Sequence, residues 1–388
     1  MNTKQRDESY IAHTYGRYDI EIAGGKGSIV WDETGKKYID MATGIAVNSF
    51  GVADDEWISA VTKQLNSFQH TSNLYYTAPC TQLAQMLVKK TGMKRVFFSN
   101  SGAEANECAI KTARKYGADK KGKSCNKIIT LINSFHGRTI TTLAATGQDA
   151  LHKDFLPLTD GFIYVSANDI DALKAAMQDD DVCAVMFECV QGEGGVNPLD
   201  KQYVSEMAKL AGEKDILLVV DEVQTGNGRT GALYAYMNYG ITPDIVSTAK
   251  GLGGGLPIGA TLFGQKTADT LTKGTHGSTF GGNPVCCAGA ISILSRIDDA
   301  LLEDVREKSA YIFNELSGKP GIEGVSGMGL MIGLKTKKPA AQVVKRCAEL
   351  GVLVITAHEK VRLLPALNIP MELVREACKV IETACAEE

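Results

Sequence analysis

The chain carries ten cysteines but no CxxC pair, and no HxxxH spacing occurs, so neither a zinc framework nor a dithiol motif is encoded. The absence of GxSxG removes the common hydrolase elbow. No stretch of about 18 apolar residues exists, so no segment is predicted to span a bilayer. The first twenty residues, MNTKQRDESYIAHTYGRYDI, hold no apolar signal-peptide core. There is no basic excess: 41 Lys and Arg face 45 Asp and Glu, for a net charge of -4, which argues against a nucleic-acid partner. Internal repeats, low-complexity tracts and a Pro/Ser-rich linker are all lacking. Cys108, Cys183, Cys286, Cys287, Cys347 and Cys378 lie in apolar helix or strand patterns. They read as core residues of a protein in a reducing compartment, the cytoplasm, and not as disulfides or metal ligands.

What is present centres on residues 216–260, ILLVV-DEVQTG-NGRTG followed by PDIVSTAK-GLGGGLPIGA. Two short apolar runs end near one charged residue each, Asp221 and Lys250. In an open α/β sheet, ligands sit outside the carboxyl ends of the strands, so two such strands side by side put an acid and an amine on one rim. The glycines after Lys250 are read as leaving room above its ammonium. Pyridoxal phosphate needs a lysine to hold it and an acid to keep its ring nitrogen protonated. A structural salt bridge at a strand edge is the plainer alternative for these two residues taken alone.

Upstream, strand and helix patterns alternate, the signature of a mainly parallel sheet covered on both faces. Several rim loops carry polar groups. Asn100–Ala103 opens a predicted helix, where free N–H groups and the helix dipole favour a phosphate, or where Ser101 is a simple cap. NSFHGRT places Phe135, His136 and Arg138 after a strand over 127–132. Phe135 could stack on a flat ring and Arg138 could fork onto a carboxylate. Glu188 closes another strand, before CVQGEGGVNP. Residues 1–20 read as an arm, 29–39 as a hairpin, and 352–356 and 361–364 as single strands. The last third reads as a smaller α+β unit joined by the N-terminal hairpin. The one GxGxxG, Gly226 to Gly231, follows its strand five residues late, and the next acid, Asp244, comes too early for a dinucleotide fold.

Six blocks together resemble the class III (ornithine-type) aminotransferases. They are SNSGAEANECAIKTARKY (99–116), FHGRT (135–139), ECVQGEGGV (188–196), DEVQTGNGRTG (221–231), AKGLGGGLPIGA (249–260) and GSTFGGNP (277–284). The resemblance implies a fold type I α/β architecture. A large domain over 52–290 would hold a mainly parallel seven-stranded sheet, and a smaller α+β domain would combine 1–51 with 291–388. It implies pyridoxal 5'-phosphate held by Lys250 as Schiff-base lysine and proton carrier, with Asp221 on the pyridine nitrogen and Gln224 near the ring hydroxyl. Ser101, Gly102 and Ala103 would hold the phosphate and Phe135 would stack on the ring. Thr279 would reach the cofactor of a neighbouring subunit, which implies a homodimer. Arg138 would bind a substrate carboxylate, Ser278 would lie near the substrate, and Glu193 with Arg362 would form a switch pair.

Within the family the chain most resembles members acting on acetylornithine, on the cues SNLYYT (72–77), IDMATGIAVNSFG (39–51) and VRLLPALNI (361–369). The implied reaction transfers an amino group from N2-acetylornithine to 2-oxoglutarate in arginine biosynthesis. Succinylornithine, ornithine, 4-aminobutyrate and, more distantly, an aminomutase reaction are the alternatives. Two departures stand out. The family's His–Pro pair is replaced within GVADDEW (51–57), and Cys189 follows Glu188 where proline is usual.

Overall fold

The computed structural model describes residues 1–386. Seven strands build the central sheet: β1 (Arg95–Ser99), β2 (Lys127–Leu131), β3 (Phe162–Val165), β4 (Val182–Phe187), β5 (Leu217–Asp221), β6 (Ile245–Thr248) and β7 (Gly259–Phe263). Their spatial order is β1-β7-β6-β5-β4-β2-β3. Pairings from β6 through β3 are parallel, whereas β7 runs antiparallel to both β6 and β1. Six strands therefore point the same way and deliver their carboxyl ends to one rim. The central strands are wholly buried, and β4 and β5 are near-continuous apolar runs, as a sheet covered on both faces requires.

Helix α1 (Gly102–Lys121) lies across this sheet with Cys108, Ala109, Ala113 and Tyr116 in one apolar cluster with β2, β4 and β5. Its approach depends on Gly117. A Cβ there would lie 2.2 Å from the Cys125 carbonyl oxygen and 2.7 Å from Cys183 Cβ. A second core gathers helices Asp299–Leu316, Ala340–Glu349 and Met371–Ala386 with strands from 322–336 and 360–363. Ile39 and Met41 of the N-terminal segment belong to this core, and Val352 pairs in parallel with Ile39.

The run 352–356 is not one strand. Val352–Leu353 joins the N-terminal hairpin, while Ile355–Ala357 pairs with Lys360–Leu363 in another sheet. The sequence shows only a continuous β-prone run, and the switch between sheets is set by what packs on either side. The arm contains a helix, Thr3–Tyr10, that buries none of its residues and is closed by an Asn2 capping box. The GVADDEW departure makes a helix start. Asp54 accepts the Trp57 N–H at 2.9 Å, and Arg296 binds its carboxylate at 2.8 Å.

The cores are joined by Arg229, from the GxGxxG run. Its guanidinium is buried without a carboxylate and donates to the carbonyls of Leu330, at 3.1 Å, and Pro365, at 2.5 Å. Burial alone pulls its pKa down to about 9, which leaves it protonated at neutral pH. Pro365 follows the strand that carries Arg362, and Leu330 precedes the strand paired with it.

Gly117→Ala is expected to destabilise the protein by roughly 1–3 kcal/mol through overpacking, although alanine is the better helix former. Urea unfolding of the two proteins measures this, and an unchanged or higher midpoint would refute it.

Candidate active site

The rim at the strand ends is built around Asp221. The last residue of β5, it is 3% exposed. Its Oδ2 accepts from Asn106 Nδ2 at 2.7 Å and from His136 Nδ1 at 2.8 Å, and its Oδ1 accepts from the Val223 N–H at 3.0 Å. A carboxylate can only accept, so Nδ1 carries the proton of the His136 pair. Burial opposes charge on His136, but the hydrogen bond and charge of Asp221 outweigh it and raise its pKa above 6.5. Asn106 Nδ2 also donates to the His136 carbonyl at 2.7 Å, so helix, loop and strand meet at one acid.

Lys250 follows β6 at the same rim, with a positive φ of 45°. Burial pulls its pKa down. The charges of Glu193, Asp221 and Glu188 resist that shift, and Arg362 adds to it. The glycines after Lys250 do not clear space above its ammonium. A Cβ on Gly251 would lie 2.7 Å from Ser49 Oγ, and one on Gly253 would lie 2.1 Å from the Leu256 carbonyl oxygen. These glycines let the lysine's own loop pack against its neighbours.

Ser101 caps α1, its Oγ accepting the Glu104 N–H at 3.1 Å. Gly102 and Ala103 open the helix, where backbone N–H groups have no intrahelical acceptor. A Cβ on Gly102 would stand 2.5 Å from Val223 Cγ1, so only glycine lets the helix start approach the Asp221 loop. Phe135 is half-buried, with the exposed Arg138 guanidinium 5.7 Å from its ring centroid.

Arg362 is 2% exposed and lies bidentate on Glu193, at 2.7 and 3.1 Å. Burial disfavours charge on Glu193, yet the Arg362 guanidinium outweighs it and holds the carboxyl below its ordinary range. Gln224 completes a triangle. Its Oε1 accepts from Arg362 at 2.9 Å and its Nε2 donates to Glu193 at 3.1 Å, so both ends of the amide are turned to the pair.

Ser278 Oγ accepts from Asn100 Nδ2 at 3.1 Å and from the Gly281 N–H at 2.9 Å. Thr279 is exposed, next to the exposed Phe280. Asn106, His136 and Glu188 were not assigned site roles from sequence. His136 and Glu188 sit inside blocks singled out there, whereas Asn106 lies within a helix whose pattern gives no hint that it faces Asp221.

The residues fit pyridoxal phosphate. A buried, thrice-bonded acid suits a cationic ring nitrogen, a lysine of lowered pKa suits an amine that must be neutral, and a glycine-opened helix start suits a phosphate. Fold and rim together define a pyridoxal-phosphate enzyme of the aminotransferase fold. A family model for the class-III aminotransferases matches residues 10–385, and the chain belongs to that family. It is an aminotransferase with pyridoxal 5'-phosphate as cofactor. It is 50% identical over 386 residues to the acetylornithine aminotransferase of Haemophilus ducreyi, spanning 99% of this chain and 98% of that one. It is 44% identical to the succinylornithine transaminase of Salmonella agona, over 99% and 96% of the two chains. The ornithine aminotransferase of Toxoplasma gondii, solved with partly occupied pyridoxal phosphate, matches with a TM-score of 0.94 and 32% identity, over 99% of this chain and 93% of that one.

His136 is expected to titrate above 6.5 in NMR spectra of the ring, because the hydrogen bond and charge of Asp221 favour the protonated imidazolium. Asp221→Asn removes that charge, leaves burial to dominate and is expected to move the midpoint below 6.5. Equal midpoints in both proteins would refute the pairing.

Proposed function

We propose that the enzyme moves the side-chain amino group of N2-acetylornithine to 2-oxoglutarate, giving N-acetylglutamate 5-semialdehyde and glutamate, a step of arginine biosynthesis. The observation that carries this reading is the fork of half-buried Glu193 on buried Arg362 beside Lys250. The site must accept in turn an amine donor and a five-carbon dicarboxylate. With Glu193 on Arg362, Arg138 is the guanidinium left for the donor's carboxylate. When Glu193 swings away, Arg362 is released for a second carboxylate. The two arrangements are selected by the contacts each substrate makes. Arg138 takes the carboxylate common to donor and acceptor.

When bound, pyridoxal phosphate carries the amino group between the substrates and absorbs the charge left by the departing proton. Lys250 holds it and then moves the proton at the amine-bearing carbon, a task that needs the neutral amine its burial favours. Asp221, steadied by Asn106 and His136, keeps the ring nitrogen protonated. Ser101, Gly102 and Ala103 take the phosphate, Phe135 covers the ring, and Ser278 stands near the substrate.

We also read the active unit as a homodimer in which Thr279 reaches the neighbouring subunit's cofactor. Thr279 lies with Phe280, Leu74, Tyr75 and Tyr76, all large apolar groups left exposed, Tyr76 fully so at 100%. Such a patch on one chain points to a partner surface. The chain is further read as two units, 52–290 and 1–51 with 291–388. No helix among the described residues is long and apolar enough to cross a membrane. Ten unpaired thiols, nine of them buried, support placement in the cytoplasm.

The visible absorbance of the holoenzyme, titrated with single donors and no oxo acid, tests the substrate. N-acetylornithine is expected to bleach it at the lowest concentration, and a response to succinylornithine, ornithine or 4-aminobutyrate alone would move the assignment. Lys250→Ala is expected to abolish turnover. Asp221→Ala is expected to weaken cofactor binding and slow turnover together, whereas Arg138→Ala is expected to raise the donor KM and leave cofactor binding intact. Light scattering on the eluting holoenzyme is expected to give twice the chain mass, and a monomer that retains full activity would refute the shared site.

A further inference from the structure

Glu188 is used by none of these steps, yet it sits at the centre of the rim. It follows β4, is 6% exposed, and divides its two oxygens between two loops. Oε2 accepts the Phe135 N–H at 3.0 Å, and Oε1 accepts the Gly192 N–H at 3.2 Å. Phe135 lies three residues before Arg138 and carries that guanidinium over its ring. Gly192 immediately precedes Glu193, the partner of Arg362. The same two loops are fastened again nearby. Gln191 Nε2 donates to the Ile132 carbonyl at 2.9 Å, and a Cβ on Gly194 would lie 2.3 Å from the Asn133 carbonyl oxygen.

We propose that Glu188 is a positioning residue that clamps the Arg138 loop to the Glu193 loop, so that the two carboxylate-binding arginines keep one spacing. This rests on the reading of Arg138 and Arg362 as substrate-binding groups. Without Glu188 the two loops lose the acceptor they share, and a shift of about 1 Å in a positioned group is enough to cost a site much of its substrate complementarity. A single carboxylate can hold both because it has two acceptor oxygens facing opposite ways. Burial, with help from the Asp221 charge, pushes the Glu188 pKa up to about 7. His136 and the two backbone N–H groups act the other way. The charged groups that face it are His136, Asp221 and Lys250. The charged form accepts both N–H groups best, so the clamp slackens as pH falls below about 7.

The test is Glu188→Gln in the full-length holoenzyme. An amide has one acceptor oxygen and turns an NH2 toward the other N–H. Cofactor loading and absorbance are expected to stay as in the wild type, and kcat at saturating substrates to change less than about threefold. The KM values for amine donor and oxo acid are both expected to rise about tenfold. The wild-type KM for the oxo acid is expected to climb as pH falls through about 7, and that climb to be absent from the variant. Unchanged KM values, or loss of cofactor loading with normal KM in the loaded fraction, would overturn the clamp. Gln191→Met removes the second tie without altering charge, and decides the matter if Glu188→Gln does not fold. It is expected to raise both KM values, and unchanged values overturn the proposal. The comparison uses whichever donor and oxo acid the wild type accepts. A failure to use N-acetylornithine therefore sinks the substrate assignment and leaves the clamp open to the same measurement.

Discussion

Everything at the rim leans on one buried acid. Asp221 keeps its charge in a place without water because three donors from three elements converge on it: Asn106 from helix α1, His136 from the loop after β2, and its own turn at Val223. Removing a buried charge's partners is expensive, of the order of 3–5 kcal/mol per broken pair. The helix, the loop and the strand are therefore held at one spacing. That spacing in turn sets where the helix N-terminus, the Phe135 ring and Lys250 stand relative to one another.

A second ion pair, the half-buried Glu193 with the buried Arg362, spans the two cores. In the proposed reaction its role differs from that of Asp221, since it would have to open. Two features make this feasible. Gln224 bonds both members and can follow either, and Arg362 still reaches the Thr356 carbonyl at 3.3 Å. Meanwhile Arg229 ties the end of the Arg362 strand, at Pro365, to the start of the strand beside it, at Leu330, through neutral carbonyls, a fastening that does not depend on Glu193. The strand is anchored while the side chain is left one exchangeable partner.

Much of this architecture is legible from the residues. Apolar runs ending on Asp221 and before Lys250 predict adjacent strands with an acid and an amine at one edge, and β5 and β6 are such a parallel pair. The reason is local: a central parallel strand has no solvent face, so it is written as an unbroken apolar run that stops where the rim begins. The reading of the glycines after Lys250 failed because a missing side chain does not say which neighbour needs the space. The 352–356 run failed similarly, since β propensity marks an extended chain but not the sheet it joins.

By itself the sequence determined the strand and helix order, the rim on which the polar loops gather, and the pairing of Asp221 with Lys250, because these follow from periodicity and from where apolar runs end. Only the tertiary structure decided that Asn106 and His136 serve Asp221, that Gln224 turns to the Glu193–Arg362 pair, and that Glu188 joins two loops. Those contacts link residues separated by up to 138 positions, as in Gln224 and Arg362. Hydrogen-bond partners are chosen by distance and direction in the folded chain, and no local pattern in the sequence records either.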